Sequence, residues 1–210
     1  PLFVAARTVM QRGGLASRLV RITRALSAPL PGGLAVASVL SSVVFAAMTA
    51  SSPVTLAAVG GAIFPALLAA GYSERSVIGL LTTAGSLGCL VPPAFSLVLY
   101  SVTVQGPSAV DPVELFLAAV VPAALLAGVL VLYAAYVGKN VPRASWSFTE
   151  IREALAEGYV AMMLPVLVLG GIYGGQFTPA EAGAVALALG LKVMPLASAG
   201  EQAHAIGLCA

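Results

Sequence analysis

The chain has 210 residues, 60% of them hydrophobic and only 9% charged, with a net charge of +2 and a mean hydropathy of +1.01. Soluble domains carry roughly 25% charge, so this composition does not make a water-facing surface, and its long, nearly charge-free runs describe an all-α polytopic membrane protein. The charge is too small to mean nucleic acid, and the runs lack the alternation, in segments of about ten, of a transmembrane barrel.

The chain opens on Pro1, and no basic region with a cleavage site precedes an apolar segment, so no signal peptide is read. Residues 1–28 mix apolar side chains with Arg7, Arg12, Arg18, Arg21 and Arg24 and are broken at Gly13-Gly14. Arg18, Arg21 and Arg24 recur at helical spacing and mark the polar side of a helix flanking the membrane and cytoplasm. "SAPLPGG" then punctuates with Pro29, Pro31, Gly32 and Gly33.

Residues 29–71 hold two apolar runs, Leu34 to Thr49 and Thr55 to Ala70, separated by "TASSPV". Each reaches about 24 Å at about 1.5 Å per residue, short of a hydrocarbon core of roughly 30 Å. Length therefore favours a re-entrant helical hairpin over two tilted spans joined by a loop, and both readings have the same parity. Residues 72–137 hold a long run, "TTAGSLGCLVPPAFSLVLY" at its centre, and then the cleanest span, Val113 to Val137. Pro92-Pro93 with Gly85 and Gly88 interrupt the first of these, which reads as a discontinuous transmembrane helix.

Residues 138–158 are the most charged stretch. Ser147 and Glu150 form a capping box, Phe148, Ile151, Leu155 and Met162 share one face, and Trp146 and Tyr159 suit an interface, so an amphipathic connector along the membrane surface is predicted. Tyr159 to Tyr173 is a further apolar helix containing Pro165. Thr178-Pro179-Ala180-Glu181 starts another, with Glu181 as a capping carboxylate. The arginine-rich start and Lys139, Arg143 and Arg152 belong on the cytoplasmic side, with Asp111 and Glu114 opposite.

No catalytic constellation is present, so the chain is not an enzyme; Cys89 and Cys209 form no framework, and His204 is given no role. "AGSLGC" follows no strand and is not a nucleotide loop. What remains is a pair of interrupted membrane segments, whose freed carbonyls and N–H groups persist only where protein buries them or where they line a cavity. Such pairs build the midplane sites of secondary transporters. Hydroxyls at Thr49, Ser51, Ser52, Thr83 and Ser86, with carbonyls around Gly85 and Gly88, suit a hard cation such as Na⁺ rather than a soft transition metal. No intramembrane Asp, Glu or His supports a proton relay. The plainer alternative is that these small residues pack helices.

The stretch from "PLFVAARTVMQRGG" to "GSLGCLVPPAFSLVLYSV", and "LPVLVLGGIYGGQFTPAEAGAVA", resemble the large membrane subunit of TRAP transporters, the DctM-type permeases. The "PLPGGLA" lead-in, the "SS" tip, "AGSLGxLxPPxxxxxxY" and "GGIYGGxFTPxEA" occur in that order. The resemblance implies a sodium-coupled, elevator-type importer of organic carboxylate anions in the bacterial inner membrane, an inverted-repeat secondary transporter. It implies two partners, a small DctQ-type membrane subunit and a periplasmic solute-binding protein. It also implies a sodium site at Thr49, Ser51, Ser52, Thr83, Gly85 and Gly88, and substrate contacts at Ser52, Ser86, Pro92 and Pro93.

The family's tip resembles "SGSS", whereas Thr49 and Ala50 stand in its first two places here and Pro53 follows. Family members are roughly twice as long, with a second inverted repeat. The chain is accordingly expected to hold one repeat and, over 159–190, the start of the next. Residues 191–210 resemble neither a membrane helix nor the family, and read as the trace of a truncated or shifted frame. Two other readings stand beside this one: a different ion-coupled carboxylate carrier with helical hairpins, and a membrane scaffold or assembly subunit with no solute site.

Overall fold

A computed structural model describes residues 15–49, 51–92, 94–104, 110–139, 141, 148–174 and 176, with 181, 184, 185 and 188 beyond them. Every element among the described residues is a helix. In chain order they are α1 (Leu15–Ser27), α2 (Gly33–Thr49), α3 (Ser52–Ala69), α4 (Glu74–Ser86), α5 (Phe95–Thr103), α6 (Pro112–Val137) and α7 (Phe148–Tyr173). A short 3₁₀ turn, Leu87–Cys89, extends α4.

The apolar and polar residues of α1 separate cleanly. Ala16, Leu19, Ile22 and Thr23 are buried, while Arg21 and Arg24 face outward. The helix stops at Ser27, where Leu30 N donates to Ser27 O and Gly33 N to Leu30 O, both at 3.0 Å. Gly32 makes this turn at φ 67°, a conformation that costs a glycine nothing.

α2 is the centre of the bundle and packs against α1, α3, α4, α6 and α7. A helix touched from so many sides must be acceptable to a dry interior all round, and α2 is apolar or small throughout. Ala35, Val36, Ala37, Val39, Ala46 and Ala47 are buried, and so are Ser38, Ser41, Ser42 and Thr49. The serines are satisfied within their own helix: Ser38 donates to Ala35 O at 2.6 Å, Ser41 to Ala37 O at 2.7 Å and Ser42 to Ser38 O at 2.8 Å. Ser41 also meets Thr23 of α1 at 2.5 Å, so the α1–α2 seam is polar without leaving a donor stranded.

One end of the bundle is closed by backbone pressed on backbone. A Cβ on Gly138, just after α6, would lie 2.2 Å from Gly32 Cα and 2.6 Å from the Tyr72 hydroxyl. The lead-in to α2, the α3–α4 turn and the end of α6 therefore meet at one face. α3 returns to the end of the bundle from which α2 departs, and α6 returns to the end from which α4 departs. The Tyr72 hydroxyl is buried here and closes no well-formed hydrogen bond. Burial raises its pKa, offset in part by the Ala35 backbone N–H at the start of α2.

Two elements differ from the sequence expectation. The second apolar run begins earlier, at Ser52, because Pro53 sits in the first turn of α3, where a missing N–H costs nothing. α3 and α6 are, among the described residues, the helices long and apolar enough to cross a membrane by length and composition. The second difference is that α7 runs unbroken for 26 residues, so the surface connector of 138–158 and the apolar helix after it share one axis from Phe148 onward. Nothing at the join stops a helix except Gly158, which costs only about 1 kcal/mol relative to alanine. Along α7, Ala154 is 2% exposed and Leu155 39%. Ser147, Trp146 and the helix start at Thr178-Pro179-Ala180 lie outside the described residues, as do 1–14 and the tail 191–210 with His204 and Cys209.

Candidate functional site

The α2–α3 tip and the interruption after α4 meet at the opposite end of α3 from Tyr72. α2 ends at Thr49 and α3 starts at Ser52, with Ser51 in extended conformation (φ −148°, ψ 120°) as its N-cap. The Ser51 side chain makes no capping bond, so the first N–H groups of α3 have no side-chain acceptor. The interruption forms because the 3₁₀ turn Leu87–Cys89 tightens the end of α4, and the prolines prevent its continuation. Leu90 and Val91 both donate to Leu87 O, at 2.9 and 2.8 Å. α5 then starts after Ala94, again with no side-chain cap.

The contact between tip and interruption is made by glycine. A Cβ on Gly88 would lie 2.8 Å from the Ser51 carbonyl carbon, and 2.9 Å from its oxygen and from Ser52 N. Real Cβ atoms do not approach so closely, so only glycine lets the two backbones touch. One turn earlier, a Cβ on Gly85 would come 2.9 Å from Leu56 Cβ. The two glycines thus act through the room they leave for α3.

Side chains tie the same surfaces. Ser52 Oγ donates to Ser86 O at 3.3 Å and lies 3.1 Å from Cys89 Sγ. Ser96, in the first turn of α5, donates to Cys89 O at 2.9 Å and bridges the interruption. Inside the tip, Thr49 and Thr55 are fully buried with their hydroxyls 2.9 Å apart; Thr55 also reaches Ser51 O at 2.9 Å, and Thr49 reaches Phe45 O at 3.1 Å. Thr83 and Ser86 are exposed and donate along α4, to Gly79 O at 2.8 Å and Thr83 O at 2.7 Å. A hydroxyl that gives its one proton to a helix carbonyl keeps its lone pairs for another partner.

Of the residues singled out in the sequence, Ser51, Ser52, Gly85, Gly88 and the Ser86 carbonyl are brought together. Thr49 belongs to the buried inner layer with Thr55. The Thr83 side chain bonds to its own helix, one turn before Ser86, and has no contact with the tip among those described. Pro92 is buried, and Pro93 lies outside the described residues. Thr55, Cys89 and Ser96 are additions. Cys89, read from sequence as an incidental thiol, is exposed and in contact with Ser52. Thr55 and Ser96 carry no signal of their own in the sequence beyond lying one turn past the tip and just past the prolines.

A sequence model of the family described as tripartite ATP-independent periplasmic transporter, DctM component, matches residues 1–206. The chain belongs to this DctM family. The match runs past Leu191, where the resemblance was expected to end, and takes in most of the tail. Among curated DctM relatives, the C4-dicarboxylate TRAP transporter large permease protein DctM of Vibrio cholerae is 40% identical over 89% of this chain and 41% of its own length. The isethionate TRAP transporter permease protein DctMQ of Oleidesulfovibrio alaskensis is 36% identical over 92% of this chain and 30% of its own. The ectoine/5-hydroxyectoine permease UehC of Ruegeria pomeroyi is 35% identical over 99% of this chain and 50% of its own. The chain therefore spans half or less of the length of these relatives. They are transporter permeases, a family that is not enzymatic.

Proposed function

We propose that this chain forms part of a sodium-coupled importer of organic carboxylate anions in the bacterial inner membrane, with α2–α3 as a re-entrant hairpin and α4–α5 as a discontinuous transmembrane helix. The observation that carries the reading is the direct seating of the Ser51–Ser52 tip on Gly88. Two polypeptide interruptions, far apart in sequence, share one surface, and a coupling site requires that. Donors here are oxygens: the carbonyls at the end of α4 and the hydroxyls of Thr83 and Ser86, which keep lone pairs after bonding to their own helix. Such a set fits a hard monovalent cation. Two helix starts without side-chain caps, at Ser52 and Phe95, supply N–H groups and positive dipole ends for an anion. Sodium held against the tip would fix the geometry that the anion then meets.

The carboxylate class follows the relatives named for C4-dicarboxylates; the isethionate relative extends the comparison to a sulfonate. A small membrane subunit and a periplasmic binding protein complete the proposed assembly, and the DctMQ name is consistent with the first. The test is uptake into proteoliposomes by a permease of full family length that carries these residues, assembled with both partners. Dicarboxylate entry driven by an inward sodium gradient, and weakened by Ser51→Ala and Ser52→Ala, is the expected result. Uptake indifferent to both substitutions would favour a scaffold role, and uptake indifferent to sodium would favour another coupling ion.

A further inference from the structure

α3 is not a uniform helix. Residues Leu56–Gly60 are π-helical, between α-helical Ser52–Thr55 and Gly61–Ala69. A π turn closes i→i+5 bonds and so holds one residue more than the α turn it replaces. Each residue of an α-helix turns about 100° and rises about 1.5 Å, so one extra residue re-aims everything before it relative to everything after it.

Both halves of α3 are committed to specific neighbours. After the π turn, Ile63 and Leu67 are fully buried in the core that includes Ala35, Val39 and Leu81. Before it, Thr55 is fully buried against Thr49 and Ser52 reaches Ser86 O and Cys89 Sγ. A straight α-helix satisfying the first set would point Ser52 about 100° away from the second. The π turn also begins at Leu56, the residue seated on Gly85, so the added residue lies at the contact itself.

We propose that the π turn of α3 is a positioning element, which reconciles the register of the core-packed half with that of the tip so that Ser52 meets the interruption after α4. The inference deepens the transport reading above, but the geometry it fixes is measurable without transport. Its small residues, Ala57, Ala58 and Gly60, fit the role, since the wider turn is not forced open by a bulky side chain.

The test uses the full-length permease in membranes with every cysteine but Cys89 replaced by serine, Cys209 among them. Ser52→Cys is expected to cross-link to Cys89 readily under mild oxidation, because the atoms now facing each other are 3.1 Å apart. Deleting Ala57, which returns α3 to regular α-helix, is expected to slow this cross-link at least about tenfold, since a disulfide tolerates neither a Cα separation above about 7 Å nor divergent Cβ vectors. Circular dichroism should show the same helix content. An undiminished rate in the deletion would overturn the proposal. If the deletion variant is not recovered folded, Gly85→Ala decides: its Cβ displaces Leu56 and should also slow the cross-link, and an unchanged rate overturns the inference. Uptake that does not respond to a sodium gradient in the permease with Ser52 intact, beside the expected cross-linking result, would count against the transport reading alone.

Discussion

The two ends of the α2–α3 pair are built from the same material, glycine beside backbone, and they differ in what is left over. At the Gly32–Tyr72–Gly138 end, the chain is pressed together until the Tyr72 hydroxyl is buried without a well-formed hydrogen bond, and the nearby Ser73 is spent on capping α4 through Ser76. At the Ser52–Gly88 end, the backbones also touch, a Cβ on Gly88 meeting backbone at 2.8 Å against 2.2 Å at Gly138, yet Thr83, Ser86, Cys89 and Ser96 remain exposed and two helices start without side-chain caps. By contrast, α4 and α6 begin with conventional caps, Ser73 on Ser76 N and Asp111 on Val113 N. The first end spends its contacts on holding helices together. The second leaves donors and acceptors facing outward, which is what a binding surface needs and a structural joint does not.

Substitutions should separate the two ends in kind. Gly138→Ala should have the largest effect on folding. Its Cβ meets backbone at 2.2 Å, and overpacking against backbone costs about 3 kcal/mol, read as a lower unfolding midpoint in detergent. Gly88→Ala should push the Ser51–Ser52 backbone off the end of α4, since its Cβ would meet that backbone at 2.8 Å; the overlap is smaller than at Gly138, leaving the midpoint closer to wild type. Sodium-dependent uptake by the full-length permease should fall about tenfold, corresponding to about 1.4 kcal/mol. If Gly88→Ala instead destabilised as much as Gly138→Ala, the contrast between the ends would collapse.

Tyr72→Phe should be neutral or stabilise by about 1 kcal/mol, because it removes a buried hydroxyl without a well-formed partner. The same residue gives a pH test. Burial raises the Tyr72 phenol above its ordinary value of 10.0, so the folded state holds the proton more tightly than the unfolded one. Its contribution is constant below that value and is lost as pH rises past it. The wild type should therefore lose more stability than Tyr72→Phe in unfolding series taken to alkaline pH. Ser52→Ala should be the smallest for the fold, about 1 kcal/mol or less for a part-exposed hydroxyl, while still lowering uptake.

Much of this was legible in the residues. Proline and glycine mark the ends of α1 and α4, the apolar runs locate α2, α3 and α6, and hydroxyls in two interrupted segments nominate the tip and its partner. What the sequence did not carry has a common cause. The π turn at Leu56–Gly60 arises from reconciling two sets of tertiary contacts, and "LAAVG" has no local signature for it. Cys89 and Ser96 matter through their positions across a gap, whereas periodicity reports only which face a residue occupies. The continuity of α7 was hidden by a change in composition near Gly158, from charged to apolar, that alters the helix's surroundings but not its backbone.

The central claim is that tip and interruption form one cation site only while seated on each other. The most direct measurement is equilibrium binding of radiolabelled sodium to the purified full-length permease, comparing wild type with Gly88→Ala. Gly88 supplies no side-chain ligand, so a loss of sodium affinity on adding one methyl group, with an unchanged circular dichroism spectrum, is the result expected of a site made by that contact. Equal sodium affinity in the two proteins would contradict it.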